Sequence, residues 1–166
     1  MASVKSDGSR HAKIIEALGR LSPVDLAGVR MKLADPDEGE GWDEETVATA
    51  ELEYRRFLAL VYAYPDRTIV PDKVADIFWH CHILDTRAYA DDTNMVFGSF
   101  LHHFPYLGMN GKEDSEKLAA CFDETVNLYE SHFGKKSTLR TDGSRCSTAS
   151  CSRCSRSNQY QRSLVR

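Results

Sequence analysis

Residues 78–86 read FWHCHILDT, a stretch that sets two histidines and a carboxylate among aromatic and aliphatic side chains. A second run, FLHHFPY at residues 100–106, adds two more histidines. Four of the six histidines of the chain therefore lie in two short apolar segments. Because the flanking residue types belong mainly to protein interiors, we expect these imidazoles to be at least partly buried. The sequence thus predicts a polar site within an apolar core.

Apolar residues recur at helical spacing on both sides of this stretch. The pattern predicts a long core helix that Asp43 caps, a central helix at residues 71–92 and a further helical segment at 93–103. Gly98 either permits the close approach of a neighbouring helix or breaks that last segment. The sequence shows no alternation of strands with helices and no hairpin dipeptide between alternating runs. We therefore expect an all-α protein, a compact bundle of five to six helices.

Charge and composition divide the chain into three predicted parts. Residues 1–21 form an N-terminal extension with a short helix, residues 22–134 form the helical domain with the histidine motifs, and residues 135–166 form a disordered tail rich in Ser and Cys. The tail has eight Lys and Arg residues against one acid, a net charge of +7, which leaves −11 for residues 1–134. An acidic body with a basic tail indicates two parts of different function.

The same features exclude several classes of protein. No apolar run reaches the roughly 18 residues of a membrane helix, and residues 1–21 lack the apolar block of a secretory signal. We therefore predict a cytoplasmic protein that does not bind membranes. Nucleic acid is not an expected partner, because phosphate contacts need a basic face and the body is acidic.

Helical geometry separates the histidines of the first run. At 100° per residue, His80 and His82 point about 200° apart, so a regular helix cannot direct both at one ligand. Asp85 shares the face of His82, and one of the neighbours His102 and His103 is expected to point inward. The predicted site therefore combines His82, Asp85 and one of that pair. His80 joins the site only where the helix is distorted or another element wraps around it.

Two or three imidazoles with one carboxylate are a common ligand set for Zn²⁺, Fe²⁺ or Mn²⁺. We accordingly predict a divalent transition-metal site from His80, His82, Asp85, His102 and His103. A version with three protein ligands would leave a position for water or substrate. The alternative is a structural network, in which buried imidazoles bond to Asp85 or to backbone carbonyls and no cofactor is bound. The helical body has no HExxH or CxxC spacing that decides between these interpretations.

The two histidine runs also carry a resemblance to a known family. The motifs Trp-His-x-His-x-x-Asp at 79–85 and Phe-Leu-His-His-Phe-Pro-Tyr at 100–106 resemble bacterial members of the glycine-rich domain-containing protein-like family, over about residues 24–133. The resemblance implies a small helical domain and supplies no catalytic residue or cofactor. Because the chain has ten glycines and no glycine-rich segment, the signalling functions of plant relatives are not expected here.

The tail holds a second candidate site. Cys146, Cys151 and Cys154 form a compact thiol cluster of the kind that holds Zn²⁺ or Cu⁺. In the alternative interpretations these cysteines are incidental to a solvated extension, or the tail is itself a modified or delivered peptide that the helical body carries.

Two classes of function follow from the sequence. The first is a metal-dependent protein, with the question of enzymatic activity left open. The second is a helical binding module whose His and Asp network is structural and whose acidic body or basic tail meets a protein or peptide partner.

Overall fold

Six α-helices make up the part of the chain that the computed structural model describes, which is residues 3–134, with side chains from residue 8 onward. The helices are α1 Ser3–Leu21, α2 Ala27–Ala34, α3 Glu44–Ala63, α4 Lys73–Leu84, α5 Thr86–Phe97 and α6 Lys112–Phe133, and these described residues contain no strand. The predicted all-α bundle of five to six helices is confirmed. Among the described helices, none is long and apolar enough to cross a membrane.

Helix α3 lies at the centre of the bundle and packs against α1, α2, α4 and α6. It begins after Asp43, whose carboxylate accepts a hydrogen bond from the backbone N–H of Thr46 at 2.8 Å, as the sequence predicts. Tyr54, Phe57 and Leu60 are buried along it and belong to the hydrophobic core. Each large apolar side chain buried in this way contributes about 1.5–3 kcal/mol to folding.

Helix α1 is longer than the short helix predicted for the N-terminal extension, and it contributes Ile14, Ala17 and Leu21 to the same core. At the other end of the chain, residues 135–166 lie outside the described residues. The disordered tail and its thiol cluster of Cys146, Cys151 and Cys154 therefore stay predictions, as do the three domain boundaries.

The predicted central helix at 71–92 is wrong, because it is divided at Asp85. This residue ends α4 and caps α5, with a backbone ψ of 74° that leaves the helical region. Its carboxylate accepts from the N–H of Ala88 at 3.4 Å. Asp side chains compete in this way for backbone donors, which favours them at caps over helix interiors. The break lets α5 fold back, so that Tyr89 and Asp92 contact side chains of α4.

The helical segment predicted at 93–103 is also wrong beyond Phe97. Gly98 ends α5 in the left-handed conformation, with φ at +75°, which confirms the second of its two predicted roles. Residues 98–111 then form an irregular segment that leads to α6. His102 and His103 therefore lie on a loop, where helical spacing does not govern their directions.

Candidate metal centre

A carboxylate and two imidazoles converge where α4 meets the 98–111 segment. The Nε2 atoms of His80 and His103 are 3.1 Å apart, and each lies 3.7 Å from Oδ1 of Asp76. These three residues form the outer cluster. The side chain of Asp76 is 10% exposed, and those of His80 and His103 are 22% and 17% exposed. The cluster is thus partly shielded while still reachable from outside.

Helix α4 positions two of the three residues. Asp72 caps it by accepting from the N–H of Ala75 at 2.7 Å, and Asp76 follows in the first turn. Asp76 and His80 are four residues apart and therefore lie on one face of the helix. Asp76 is absent from the predicted site, although its spacing from His80 was a signal that could have indicated it.

The aromatic rings behind the cluster position His103. The indole N–H of Trp79 donates to the hydroxyl of Tyr89 at 2.9 Å, and that hydroxyl donates to the carbonyl of Leu101 at 2.6 Å. Burial raises the pKa of Tyr89 to about 12, so its hydroxyl stays a donor at neutral pH. The bond fixes the chain two residues before His103, whose ring packs edge-on against Trp79 with centroids 4.5 Å apart.

The far end of the 98–111 segment is held by α6. The carboxylate of Asp114 accepts from the backbone N–H groups of Gly108 and Asn110, at 2.7 and 3.2 Å. Gly108 has φ at +85°, and an added Cβ would lie 2.6 Å from a methyl group of Leu118. A side chain at this position would therefore push the segment away from α6.

The spacing within the outer cluster suits one metal ion. Ligand atoms about 2.0–2.2 Å from a tetrahedral zinc ion lie about 3.4 Å from one another. The three measured separations of 3.1, 3.7 and 3.7 Å bracket that value. The close approach of the two imidazoles is also compatible with an N–H···N hydrogen bond, in which one ring donates and the other accepts.

The electrostatic surroundings keep His80 in the form that binds metals. Burial lowers the pKa of His80, the neighbouring His103 lowers it further, and the carboxylate of Asp76 partly opposes both effects. A neutral imidazole is the form with a free nitrogen lone pair, which metal binding requires. Neutral His80 is therefore prepared to act as a ligand near pH 7.

All three residues of the outer cluster line a cleft of about 740 Å³. Its walls come from α3, the connection from α3 to α4, α4 itself, the 98–111 segment and the first part of α6. Most of the other lining side chains are apolar or aromatic, including Phe57, Val61, Ile69, Val70, Trp79, Leu101, Phe104, Leu107, Met109 and Leu118. A cleft of this volume is typical of small-molecule sites.

His82 belongs to a separate group, in which the side chains of His82 and Tyr54 are buried and that of Asp92 is 21% exposed. The Nε2 of His82 lies 3.1 Å from Oδ2 of Asp92, and its Nδ1 lies 3.0 Å from the hydroxyl of Tyr54. These three residues form the inner network. Because a carboxylate accepts only, the proton of neutral His82 is on Nε2, and Nδ1 accepts from Tyr54. Burial raises the pKa of Tyr54 well above its usual value, so the hydroxyl remains able to donate.

The other two predicted site residues lie outside the outer cluster, although His102 lines the same cleft. Asp85 caps α5 and is exposed, and its carboxylate does not join the outer cluster. His102 is exposed and packs against the ring of Phe100 with centroids 4.9 Å apart. Of the five residues predicted for the site, the structure brings His80 and His103 together, with Asp76 as the carboxylate.

A family model described as UCP032817-like matches residues 30–128, well over half of the chain. The chain belongs to the UCP032817-like family. The match spans α3, α4 and α5 and so includes the outer cluster and the inner network. No curated protein and no solved structure matches the chain.

This family assignment corrects the expected one. The resemblance to the glycine-rich domain-containing protein-like family is wrong, because the match over residues 30–128 is to the UCP032817-like family. Two short histidine motifs carried the resemblance.

Proposed function

We propose that this protein binds one divalent transition-metal ion through Asp76, His80 and His103. The observation that carries the proposal is the convergence of three possible ligand atoms on the wall of a cleft, where they lie 3.1–3.7 Å from one another. The inner network offers no comparable site, since both ring nitrogens of His82 already have partners.

The ligand types indicate which ions fit. Two imidazole nitrogens and one carboxylate oxygen suit Zn²⁺, Fe²⁺ and Mn²⁺. Three protein ligands leave at least one coordination position, and all three residues line a cleft that is large enough to admit a small molecule. A bound ion supplies Lewis acidity and lowers the pKa of coordinated water. Asp76, His80 and His103 would hold the ion, while Tyr89 and Trp79 keep His103 in place.

The test is to purify the full-length protein without an affinity tag and to measure its metal content by inductively coupled plasma mass spectrometry. We expect about one ion per chain in the wild type and a loss of most of it in His80→Ala and in His103→Ala. His102→Ala is the matched control, because this neighbouring imidazole is exposed and outside the cluster. Equal metal in the cluster variants and the wild type would contradict the proposal.

The thiol cluster of the tail needs its own comparison. A full-length variant with Cys146→Ser, Cys151→Ser and Cys154→Ser removes all three tail thiols and leaves the outer cluster intact. We expect this variant to keep the ion. If it lost the ion while His80→Ala retained it, the site would be in the tail and not on α4.

One observation favours a second candidate function, a helical binding module for a protein or peptide partner. The 98–111 segment carries four exposed apolar side chains, Phe100, Phe104, Tyr106 and Met109. Exposed apolar groups that lie close together mark interaction surfaces more often than isolated ones do. Under this alternative the wild type would contain no metal, and the two imidazoles would form only a hydrogen bond with each other.

A further inference from the structure

The walls of the cleft favour an apolar ligand body. Beyond the outer cluster, the lining is rich in aromatic and aliphatic side chains such as Phe57, Leu101, Phe104 and Leu107. Phe104 and Met109 are 67% and 58% exposed, so part of this apolar surface is in contact with water. A ligand that covers it gains the free energy of removing both surfaces from water.

The charges around the cleft favour an anion. Among the described residues that line it, Asp76 is the only acid, whereas Arg67 and Lys117 are basic. Arg67 forms an ion pair with Glu124, which offsets its charge. Lys117 is exposed, and a divalent ion at the outer cluster would outweigh the single carboxylate of Asp76. The loaded cleft is therefore net positive, although the body of the protein is acidic.

The volume bounds the size of the ligand. About 740 Å³ is far more than a water molecule or an inorganic anion fills. It is within the roughly 300–1,000 Å³ of sites for small organic molecules. The surroundings therefore fit a compact organic ligand with one charged end.

We infer that the cleft binds an organic monocarboxylate with an apolar body, its acid group directed at the ion held by Asp76, His80 and His103. This inference rests on the proposed metal site and adds the class of ligand. The carboxylate takes the coordination position that the three protein ligands leave open, and Lys117 adds a second positive charge. The body of the ligand packs between Phe57, Leu101 and the aromatic side chains near them.

The experiment compares three probes by isothermal titration calorimetry on the zinc-loaded, full-length protein. 4-Phenylbutyrate has both the charge and the apolar body, 4-phenylbutyramide keeps the body without the charge, and acetate keeps the charge without the body. We expect 4-phenylbutyrate to bind at least tenfold more tightly than either of the other two. Equal affinity for the acid and its amide, or for the acid and acetate, would overturn the inference.

A pair of lysine variants tests the placement of the charge. Lys117→Gln is expected to weaken the binding of 4-phenylbutyrate three- to tenfold and to leave that of the amide unchanged, because it removes a positive charge from the wall of the cleft. Lys112→Gln is the control, since this exposed lysine pairs with Glu116 and does not line the cleft. A loss of the same size in both variants would contradict a specific role for Lys117.

The zinc content of each titrated sample separates the two proposals. If the protein holds zinc but binds the acid and its amide equally well, the proposed metal site is retained and the proposed class of ligand is wrong. A protein that takes up none of Zn²⁺, Fe²⁺ and Mn²⁺ overturns the proposed function and, with it, the ligand that depends on the ion.

Discussion

The outer cluster and the inner network use the same kinds of side chain for different purposes. Each combines imidazole with a carboxylate, and each takes one histidine from α4, His80 in the first and His82 in the second. The side chain of His80 is 22% exposed and faces another imidazole, whereas that of His82 is 3% exposed and faces a carboxylate and a hydroxyl. His80 and His82 are two residues apart on α4. His80 belongs to a partly exposed cluster, whereas His82 is buried and both of its ring nitrogens have partners.

The difference shows that partners, more than residue type, decide what a histidine can do. Tyr54 and Asp92 satisfy both nitrogens of His82, so an ion would have to displace one of them, and displacing Tyr54 would leave a buried hydroxyl without this bond. The Nε2 atom of His80 instead faces two atoms, on His103 and Asp76, of the types that coordinate metal ions in proteins. We therefore expect the inner network to determine stability and the outer cluster to determine binding.

The largest expected effect is on stability and comes from the inner network. His82→Ala should lower the free energy of unfolding by about 3 kcal/mol, because it leaves a cavity and removes the partner of the buried Tyr54 hydroxyl and of the Asp92 carboxylate. The metal-free His80→Ala variant should lose less than about 1 kcal/mol. Urea denaturation of the two variants measures the contrast. Equal losses would show that the inner network has no special part in the fold.

The next effect concerns the outer cluster and needs metal. Zinc at a free concentration 100 times its dissociation constant should raise the free energy of unfolding by about 2.7 kcal/mol, since the ion binds only the folded chain. His103→Ala should abolish this increase, while His102→Ala should retain it. Thermal denaturation with and without zinc provides the measurement. Stabilisation that persists in His103→Ala would place the ion outside the outer cluster.

Tyr89 links the two regions, and its replacement should give an intermediate effect. Tyr89→Phe removes the hydrogen bonds to Trp79 and Leu101, which should cost about 1 kcal/mol of stability. It should also weaken zinc binding roughly tenfold, because His103 is then held less firmly. Tyr106→Phe is the control, as its ring is 58% exposed. A change in stability without a change in zinc affinity would show that Tyr89 does not position His103.

The smallest effect near neutral pH comes from protonation. Burial lowers the pKa values of His80 and His82 below the usual 6.5. At a pH between 6.5 and these lowered values, the two imidazoles are mostly protonated in the unfolded chain and mostly neutral in the folded chain. The free energy of unfolding of the metal-free protein should therefore fall as the pH drops from 7.5 to 5.5. The decrease should be smaller in His80→Gln than in His102→Ala. Equal decreases in the two variants would indicate that His80 titrates normally.

The helical architecture could be predicted because its causes are local. The cap at Asp43 and the apolar spacing of α3 depend on residues within a few positions of one another, and both are as the pattern indicates. The break at Asp85 is equally local in its chemistry. It escaped prediction because the apolar pattern of α4 continues into α5, and the same Asp was assigned to a metal site.

The site could be predicted only in part, because its members meet over long distances in the sequence. His80 and His103 are 23 residues apart, and helical periodicity does not reach across the loop that carries His103. The spacing of Asp76 and His80 places both on one face of α4, but only the tertiary structure shows that His103 meets that face. Likewise, nothing near His82 in the sequence distinguishes Asp92 from Asp85 as its carboxylate partner.

The sequence by itself determined that this protein is helical and that four histidines lie in two short apolar segments, since both follow from residue type and spacing. Only the tertiary structure decided which histidines meet. The turn at Asp85 and the left-handed Gly98 reverse the chain twice, and those two reversals direct Asp92 to His82 and His103 to His80. Directions after a turn depend on the packing of whole helices, which no local pattern encodes.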